Sequence, residues 1–127
     1  MECSPRGGGN RLAEMLRYAS GVDLITNAIR AAIGEPCVDI SQKNYVGEWA
    51  EIILHSKNCG KYESLWVSDE IKENVVEQDI WVKPGDFVSD FSAANEAIGT
   101  LVLRFSSKEK LNKVMQNQEK YIKVIVR

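Results

Sequence analysis

The N-terminal segment carries the side chains of this sequence that are best suited to chemistry. Glu2, Ser4 and Arg6 alternate along the chain, and three consecutive glycines follow them: Gly7, Gly8 and Gly9. In an extended backbone, residues two apart point to the same side, so a carboxylate, a hydroxyl and a guanidinium would form a row. Carboxylate and hydroxyl oxygens suit Mg²⁺, and a guanidinium binds a phosphoryl group through two hydrogen bonds at once. The segment therefore predicts a site for a metal ion and an anion.

The residues that follow the glycines favour anion binding. A helix is predicted to begin near Asn10, a good N-cap residue, and its N-terminus would present the positive end of the helix dipole. The glycines would let backbone N–H groups approach a phosphate, and Arg11 adds a second cation. A glycine run before a helix is also typical of a flexible leader, and no Gly-Lys-Ser/Thr follows as in a P-loop. From the residues alone, both interpretations stay open.

Two amphipathic helices are predicted to follow this segment. Apolar residues recur at helical spacing over 12–19 and again over 24–33. Ser20 and Asp23 between them resemble a capping box. Gly34 and Pro36 predict the end of the second helix, because glycine just past a helix and proline beyond it stop helical structure.

The rest of the chain has the pattern of a β-rich region. Strands are predicted over 45–54, 64–67, 79–82, 98–105 and 122–126, with a turn at 84–86 and a helix that begins at a capping box over 106–109 and ends at about Lys120. The nearly continuous apolar run 98–105 predicts a central strand. We expect an α+β fold in which two N-terminal helices precede a mostly antiparallel β-rich subdomain with one C-terminal helix. The predicted division is residues 1–36 and 37–127.

Composition excludes several classes of protein. The chain has 127 residues, 44% of them hydrophobic, and a net charge of −2, so we expect no nucleic-acid partner. No apolar run approaches the ~20 residues that span a bilayer, so we expect no membrane partner. Three scattered cysteines do not make a disulfide framework, and they predict reduced thiols and a cytoplasmic location.

Other residues with chemical potential have simpler interpretations. His55 and Cys59 lie four residues apart, but two ligands do not make a zinc site, and Cys3 is expected to be a small buried residue. The three tryptophans are expected to pack within the sheet, and the charged segment 68–79 is expected to be solvated surface. The tryptophans are Trp49, Trp66 and Trp81.

The sequence resembles the C-terminal part of ATP-grasp ligases. The residues 2–9, ECSPRGGG, resemble the E-x-N-x-R-x-G-G segment of that family, and 19–24 and 31–36 resemble the helical stretch that follows it. The stretches 82–88 and 98–102 resemble the closing β-rich subdomain of the amino-acid-ligase-like, carbamoyl-phosphate-synthase-like and biotin-carboxylase-like members. The resemblance implies an enzyme that uses ATP and Mg²⁺ to join a carboxylate to an amine through an acyl phosphate.

The resemblance also implies roles for single residues. Glu2 would be a Mg²⁺ ligand, and Ser4 stands at the position of a second metal ligand that is usually asparagine. Arg6 would be the catalytic residue that holds the transferred phosphoryl group. Arg11 would line the pocket for the carboxylate substrate or for the carboxylate of the amine, together with the three glycines, Gly7, Gly8 and Gly9.

Family members carry their nucleotide-binding lysines, adenine pocket and a further acidic Mg²⁺ ligand upstream of this segment. We therefore expect the chain to be the C-terminal piece of a longer ligase, inactive alone, whose partner is the missing N-terminal ATP-grasp half. Helix faces that normally pack on that half would be bare, which predicts a homodimer or another homo-oligomer. The alternatives are a non-catalytic interaction module on the same scaffold and a fragment of a carbamoyl-phosphate-synthase-type or carboxylase-type enzyme.

Overall fold

The computed structural model describes residues 9, 11–41 and 43–127, which form two compact units. The first, Met1–Gly47, is called the helical unit below, and the second, Glu48–Arg127, the β-rich unit. The sequence predicts a boundary after residue 36, between the end of a catalytic domain and a C-terminal subdomain. That boundary stays a prediction. No helix in the described part of the chain is long and apolar enough to cross a bilayer.

The helical unit contains the predicted helix pair. Helix α1 spans Leu12–Ser20 and helix α2 spans Leu24–Ala32. Helix α1 ends at Gly21, whose φ of 77° is in the left-handed region that glycine adopts without strain. The Gly21 N–H donates to the Arg17 carbonyl oxygen at 2.8 Å and closes the last turn of α1.

The start of α2 differs from the predicted capping box. Asp23 is the N-cap: its carboxylate accepts hydrogen bonds from the Thr26 N–H at 2.8 Å and the Thr26 hydroxyl at 2.9 Å. Ser20 belongs instead to the end of α1, where its hydroxyl donates to the Leu16 carbonyl oxygen at 2.6 Å. The carboxylate prevails as the cap because a charged acceptor at a helix N-terminus makes the stronger hydrogen bond.

Asn27 attaches the segment after α2 to the helix. This buried amide donates to the Val38 carbonyl oxygen at 2.9 Å and accepts from the Val38 N–H at 2.7 Å. Its NH₂ group also donates to the Asp23 carbonyl oxygen. One side chain therefore satisfies backbone groups of two segments, which explains why an asparagine stands among the apolar residues of α2.

The β-rich unit has antiparallel sheets, as the sequence predicts. Its strands and helices follow one another along the chain as β1 Glu48–Leu54, β2 Gly60–Val67, β3 Val75–Ile80, β4 Phe87–Val88, β5 Gly99–Phe105, α3 Lys108–Gln116, α4 Gln118–Tyr121 and β6 Ile122–Val126. One sheet has the order β1-β5-β3 and the other β4-β2-β6. Side chains from both sheets form a single core.

Strand β5 is the centre of this unit, which confirms the interpretation of its apolar run. Leu101, Val102 and Leu103 are fully buried, since β5 pairs with β1 on one side and β3 on the other. Its first residue, Gly99, lies so close to β3 that a Cβ there would stand 2.3 Å from the Asp79 carbonyl oxygen. Only glycine lets the two strands approach in this way.

The structure corrects the prediction for the charged segment 68–79. It contains a 3-10 turn at Lys72–Asn74 and the first part of β3, and is therefore not simply solvated surface. Val75 and Ile80 of β3 pack against the core, and the charged residues Glu77 and Asp79 are half-buried in the same strand. A strand at the end of a sheet has one edge open to solvent and tolerates charged residues. A charged composition therefore does not exclude a strand in this segment.

The helix predicted after 106–109 and the turn at 84–86 are both present. The helix cap is Ser107, one residue later than the capping box predicts, and its hydroxyl accepts a hydrogen bond from the Lys110 N–H at 3.2 Å. The turn at 84–86 has Gly85 at a φ of 98°, and the Asp86 carboxylate accepts from the Lys83 N–H at 2.8 Å. The helix from Ser107 is interrupted at Asn117, so α3 and α4 replace the single predicted helix.

Candidate functional site

The predicted metal and phosphate residues lie for the most part outside the described residues. These are Glu2, Ser4, Arg6, Gly7 and Gly8. Cys3, predicted to be buried, lies outside them as well. The structure does place Gly9 and Arg11, the last two residues of the predicted site, at the start of α1.

Gly9 is exposed and leaves room beside the backbone. A Cβ built at this position would meet no atom within 4 Å, and the Gly9 carbonyl oxygen accepts from the Leu12 N–H at 3.3 Å. The glycine is therefore not demanded by crowding inside the helical unit. Open space next to a helix N-terminus is compatible with a bound anion, because the first N–H groups of a helix have no partner within it.

Arg11 is the N-cap residue of α1, one position later than the sequence predicts. Its backbone has φ 63° and ψ 20°, a left-handed conformation that a non-glycine residue adopts at a cost of about 1 kcal/mol or more. Its guanidinium Nε lies 3.5 Å from the Glu14 carboxylate, and both side chains are half-buried. The pair holds the guanidinium against the first turn of α1, at the positive end of the helix dipole.

The cavity of the helical unit is small. It has a volume of about 160 Å³ and is lined by residues of α1, the start of α2 and the segment 40–45. Ligand pockets usually have about 300 to 1,000 Å³. This cavity is therefore too small to enclose a nucleotide.

A larger cleft lies within the β-rich unit and was not predicted from the sequence. Its volume is about 480 Å³, and it is lined by residues 52–58 of β1 and the following turn, 118–120 of α4 and 122–125 of β6. We call it the β1–β6 groove. The sequence contains only a weak signal for this groove. The strand order decides which strands flank it, and a pattern of apolar residues does not reveal strand order.

Charged side chains surround this groove, and most have partners. Lys57 forms an ion pair with Glu119, and Lys120 lies 3.5 Å from the Glu70 carboxylate. The Lys57 ammonium group, by hydrogen bonding and charge, holds the pKa of Glu119 below its usual value. The negative charge of Glu70 raises the pKa of Lys120. Both shifts favour the charged forms of Glu119 and Lys120.

His55 and Cys59, the weak metal pair of the sequence, have separate neighbours. The His55 ring stacks on Phe91 with centroids 4.3 Å apart, and the Cys59 thiol donates to the Asp90 carboxylate at 3.1 Å. Within residues 9, 11–41 and 43–127, no three His, Cys, Asp or Glu side chains are grouped to hold a metal ion. Cys37 and Cys59 are both free thiols.

The tryptophans differ from the predicted packing role. Trp49 is half-buried, but Trp66 and Trp81 are 43% and 52% exposed. The Lys123 ammonium lies over the Trp66 ring, 5.3 Å from its centroid. The Trp81 Nε1–H donates to the Asp79 carboxylate at 2.9 Å. These rings cover the outer surface of the sheets instead of filling the core, because a ring on the wet face can keep its apolar body on the sheet and its polar partners in solvent.

No protein-family model matches the sequence, and no curated protein matches it significantly. Solved structures are similar to it. Phosphoribosylglycinamide synthetase from Anaerococcus prevotii superposes with a TM-score of 0.67 at 18% identity, over 94% of this chain and 31% of that chain. L-amino acid ligase from Bacillus licheniformis superposes with a TM-score of 0.69 at 12% identity, over 91% of this chain and 29% of that chain.

Both solved structures are of ATP-grasp ligases, and at such low identity the likeness shows the fold. The chain has the α+β fold of the C-terminal part of these enzymes, so the fold expected from the resemblance is confirmed. The chain spans about a third of the length of either structure.

Proposed function

We propose that this chain is the C-terminal portion of an ATP- and Mg²⁺-dependent ligase that joins a carboxylate to an amine through an acyl phosphate. The observation that carries the proposal is the extent of the structural match, which takes in 94% of this chain. Both units are therefore included in the match. Fold likeness alone does not fix chemistry, so the proposal also depends on the residue types in the motif of 2–9.

In this proposal the motif supplies half of a magnesium–phosphate site. The Glu2 carboxylate and the Ser4 hydroxyl would hold Mg²⁺, since both offer the hard oxygen atoms that this ion prefers. The Arg6 guanidinium would bind the phosphoryl group and neutralise charge that develops on it. When bound, ATP with Mg²⁺ would supply the phosphoryl group that activates the carboxylate. Serine reaches less far than the usual asparagine, so Glu2 would carry more of the metal binding.

Gly9 and Arg11 would complete the site on the side of the substrate. The open space beside Gly9 and the cation at the start of α1 favour a small carboxylate ligand. A carboxylate that binds Arg11 would compete with Glu14, which lies 3.5 Å from its guanidinium. Replacement of Glu14 by Gln should therefore tighten carboxylate binding in the assembled ligase, and Glu14→Asp should leave it nearly unchanged.

The proposal assigns a partner surface to α2. Ile25, Ile29 and Ile33 recur every four residues, so they lie along one side of the helix, and they are 45%, 58% and 66% exposed. An apolar stripe of this kind marks an interaction site. We propose that the ATP-binding part of the ligase covers it. In the chain alone the same stripe would pair with a second copy, and light scattering over a range of concentrations should then detect a dimer.

The first test is calorimetric. The chain alone should not bind ATP–Mg²⁺ at micromolar concentration, because most of the nucleotide site belongs to the ATP-binding part. Micromolar binding by this 127-residue chain would contradict the division of the site. The coding sequence upstream of Met1 gives an independent check, since an ATP-binding half encoded there supports the ligase and its absence supports an interaction module.

The second test uses the assembled enzyme. The chain, joined to or mixed with that ATP-binding part, should release ADP only when a carboxylate and an amine are both present. Arg6→Ala should lower the rate on the order of 10³-fold. The matched control is Arg17→Ala, because Arg17 is 50% exposed on α1 and its ion pair with Asp23 is long, at 3.9 Å. Equal rates for Arg6→Ala and Arg17→Ala would remove Arg6 from the mechanism.

A further inference from the structure

We propose that a notch in the helical unit receives one aromatic side chain of the ATP-binding part of the ligase and so fixes the two parts to each other. The notch is the cavity of about 160 Å³ between α1, the start of α2 and the segment 40–45. The partner is taken from the proposed function, whereas the size and the lining of the notch select the side chain that enters it.

The notch has an apolar floor and an apolar rim. Val22 is buried and Leu16 is half-buried, so they form the floor. Leu24, Ile40 and Tyr45 are 42%, 60% and 63% exposed, so they form the rim. Large apolar side chains that stay in water around a depression mark an interaction site, because a group that enters would remove their surface from water.

The polar side chains of the lining already have partners. The Ser20 hydroxyl donates to a backbone carbonyl oxygen at 2.6 Å and accepts from a backbone N–H at 3.2 Å. The Lys43 ammonium donates to the Asp39 carboxylate at 2.7 Å. Lys43, by hydrogen bonding and charge, and the Ser41 hydroxyl hold the pKa of the Asp39 carboxyl below its usual value. The one cation among the described lining residues is therefore paired, and an apolar occupant leaves these hydrogen bonds intact.

The size of the notch corresponds to one aromatic ring. A protein cavity of about 150 Å³ lined by aliphatic and aromatic side chains binds benzene, and the notch has a volume of about 160 Å³. Its rim is exposed, so the ring can be presented from outside by another chain. The Tyr45 ring at the rim favours an aromatic occupant, since two rings attract each other beyond the effect of the area they bury.

The segment that carries Ile40 and Tyr45 is held against α2 without a partner. Asn27 bonds both backbone groups of Val38, at 2.9 and 2.7 Å. The Arg30 Nε–H donates to the Pro36 carbonyl oxygen at 2.8 Å. The notch therefore exists before binding, and a partner that enters it has little of this wall to order.

The extent of the structural match supports the ATP-binding part as the occupant. More than two thirds of either solved ligase lies outside the match with this chain, so an enzyme of that size has a large further part to present a side chain. Leu24 at the rim is followed by Ile25, the first residue of the exposed stripe that we assign to the same partner. The stripe would supply contact area, and the notch would hold one buried anchor, the kind of contact that carries much of the energy of an interface.

The direct test is an NMR titration of the whole isotope-labelled chain. The probe is N-acetyl-L-phenylalaninamide, which is blocked at both ends like a residue within a chain, and the control is N-acetyl-L-alaninamide. The Val22 N–H reports on the floor, where it donates to the Ser20 hydroxyl. We expect the probe to shift this amide signal with a Kd of about 1 mM and the control to bind at least about tenfold more weakly.

Two leucines provide a matched pair of variants. Leu24 and Leu12 are each the first residue of a helix and are 42% and 38% exposed. Of these two, Leu24 lines the notch and Leu12 does not. Leu24→Ala should therefore weaken probe binding about fivefold, and Leu12→Ala should change it less than about twofold. Circular dichroism shows whether both variants keep their helices.

A competition experiment identifies the occupant. A para-fluoro form of the probe is followed by its own fluorine signal while the ATP-binding part is added to the chain. We expect that part to displace the probe, and Leu24→Ala to weaken the association of the two parts at least about fivefold.

Several results would overturn the proposal. They are no shift of the Val22 amide at about 10 mM probe, equal effects of Leu24→Ala and Leu12→Ala, and an ATP-binding part that binds the chain but leaves the probe in place. Tighter binding of free L-phenylalanine than of the blocked probe would make the notch a small-molecule site. Displacement of the probe by a higher concentration of the chain itself would make a second copy the occupant.

These results are separate from those that test the ligase. None of the measurements involves release of ADP, so a notch that fails them leaves the ligase activity standing. A chain that binds the probe and loses it to the ATP-binding part, but releases no ADP with that part, would contradict the proposed activity alone. The absence of any encoded ATP-binding part would overturn both proposals.

Discussion

The helical unit and the β-rich unit bury their apolar residues to very different extents. In the β-rich unit, Leu101, Val102 and Leu103 are fully buried and belong to strand β5, which has a neighbour on both sides. Among the described residues of the helical unit, Ala19, Val22 and Asn27 are buried, and they are small or polar. The large aliphatic side chains of α2 face solvent instead.

This difference indicates which unit buries its large apolar side chains in a core of its own. A domain is stabilised mainly by apolar surface removed from water, and the β-rich unit has removed it within its own core. The helical unit keeps the stripe of Ile25, Ile29 and Ile33 exposed, so it gains less stabilisation from burial of its own apolar residues. The contrast supports our placement of the ATP-binding part of the ligase on the helical unit.

The largest expected effect is in the core of the β-rich unit. Leu103→Ala should lower the free energy of unfolding by about 2 to 5 kcal/mol, because it leaves a cavity at a position with 0% exposure. Urea denaturation of the whole chain, followed by circular dichroism, measures the loss. A loss below about 1 kcal/mol would mean that the two sheets do not share a tight core.

A smaller loss is expected where β5 meets β3. Gly99→Ala places a Cβ 2.3 Å from the Asp79 carbonyl oxygen, so one of the strands must move. We expect a cost of about 1 to 3 kcal/mol, typical of overpacking. Gly9→Ala is the control, since a Cβ there meets no atom within 4 Å. If the two variants unfold at the same urea concentration, the close approach of β3 and β5 is not real.

The cap of α2 should make the helical unit sensitive to acid. Hydrogen bonds from Thr26 hold the pKa of Asp23 below its usual value of 3.8. Because the pKa is lowered on folding, the cap's contribution is present above pH 3.8 and is lost as the pH falls further, through the lower folded value. The Thr26 amide shift in NMR spectra should follow this titration.

Asp23→Asn provides the matched control for the acid effect. Asparagine is a good N-cap but does not titrate in this range, so the pH dependence of the Thr26 amide should disappear while α2 remains. A titration that persists in Asp23→Asn would assign the acid sensitivity to another group.

The smallest effect is expected for Ile29→Ala, which shortens a large aliphatic side chain as Leu103→Ala does but lies on α2. Ile29 is 58% exposed, so Ile29→Ala should change the free energy of unfolding by less than about 0.5 kcal/mol. The same variant should weaken the proposed dimer of the isolated chain, as light scattering would show. A cost close to that of Leu103→Ala would show that α2 packs internally and would remove the contrast between the units.

Much of the secondary structure could be predicted from local patterns. The periodicity of 12–19 and 24–33 predicted both helices, and the run 98–105 predicted a central strand. Strand β3 was harder to predict, since charged residues are uncommon in strands and the sequence does not say which strand lies at the end of a sheet. Ser20 and Asp23 could both cap a helix, and only the actual end of α1 assigned them different partners.

The sequence by itself determined the types and spacing of the groups in the N-terminal motif, the order of helices and strands, and the α+β class, because these depend on contacts between near neighbours. The tertiary structure decided which strands became edges, and thus that β1 and β6 form the walls of one groove. It also decided which apolar residues stayed in solvent, including Ile29 and Ile33. Burial and strand order depend on residues far apart in the chain, and a local pattern of residue types does not specify how such residues meet.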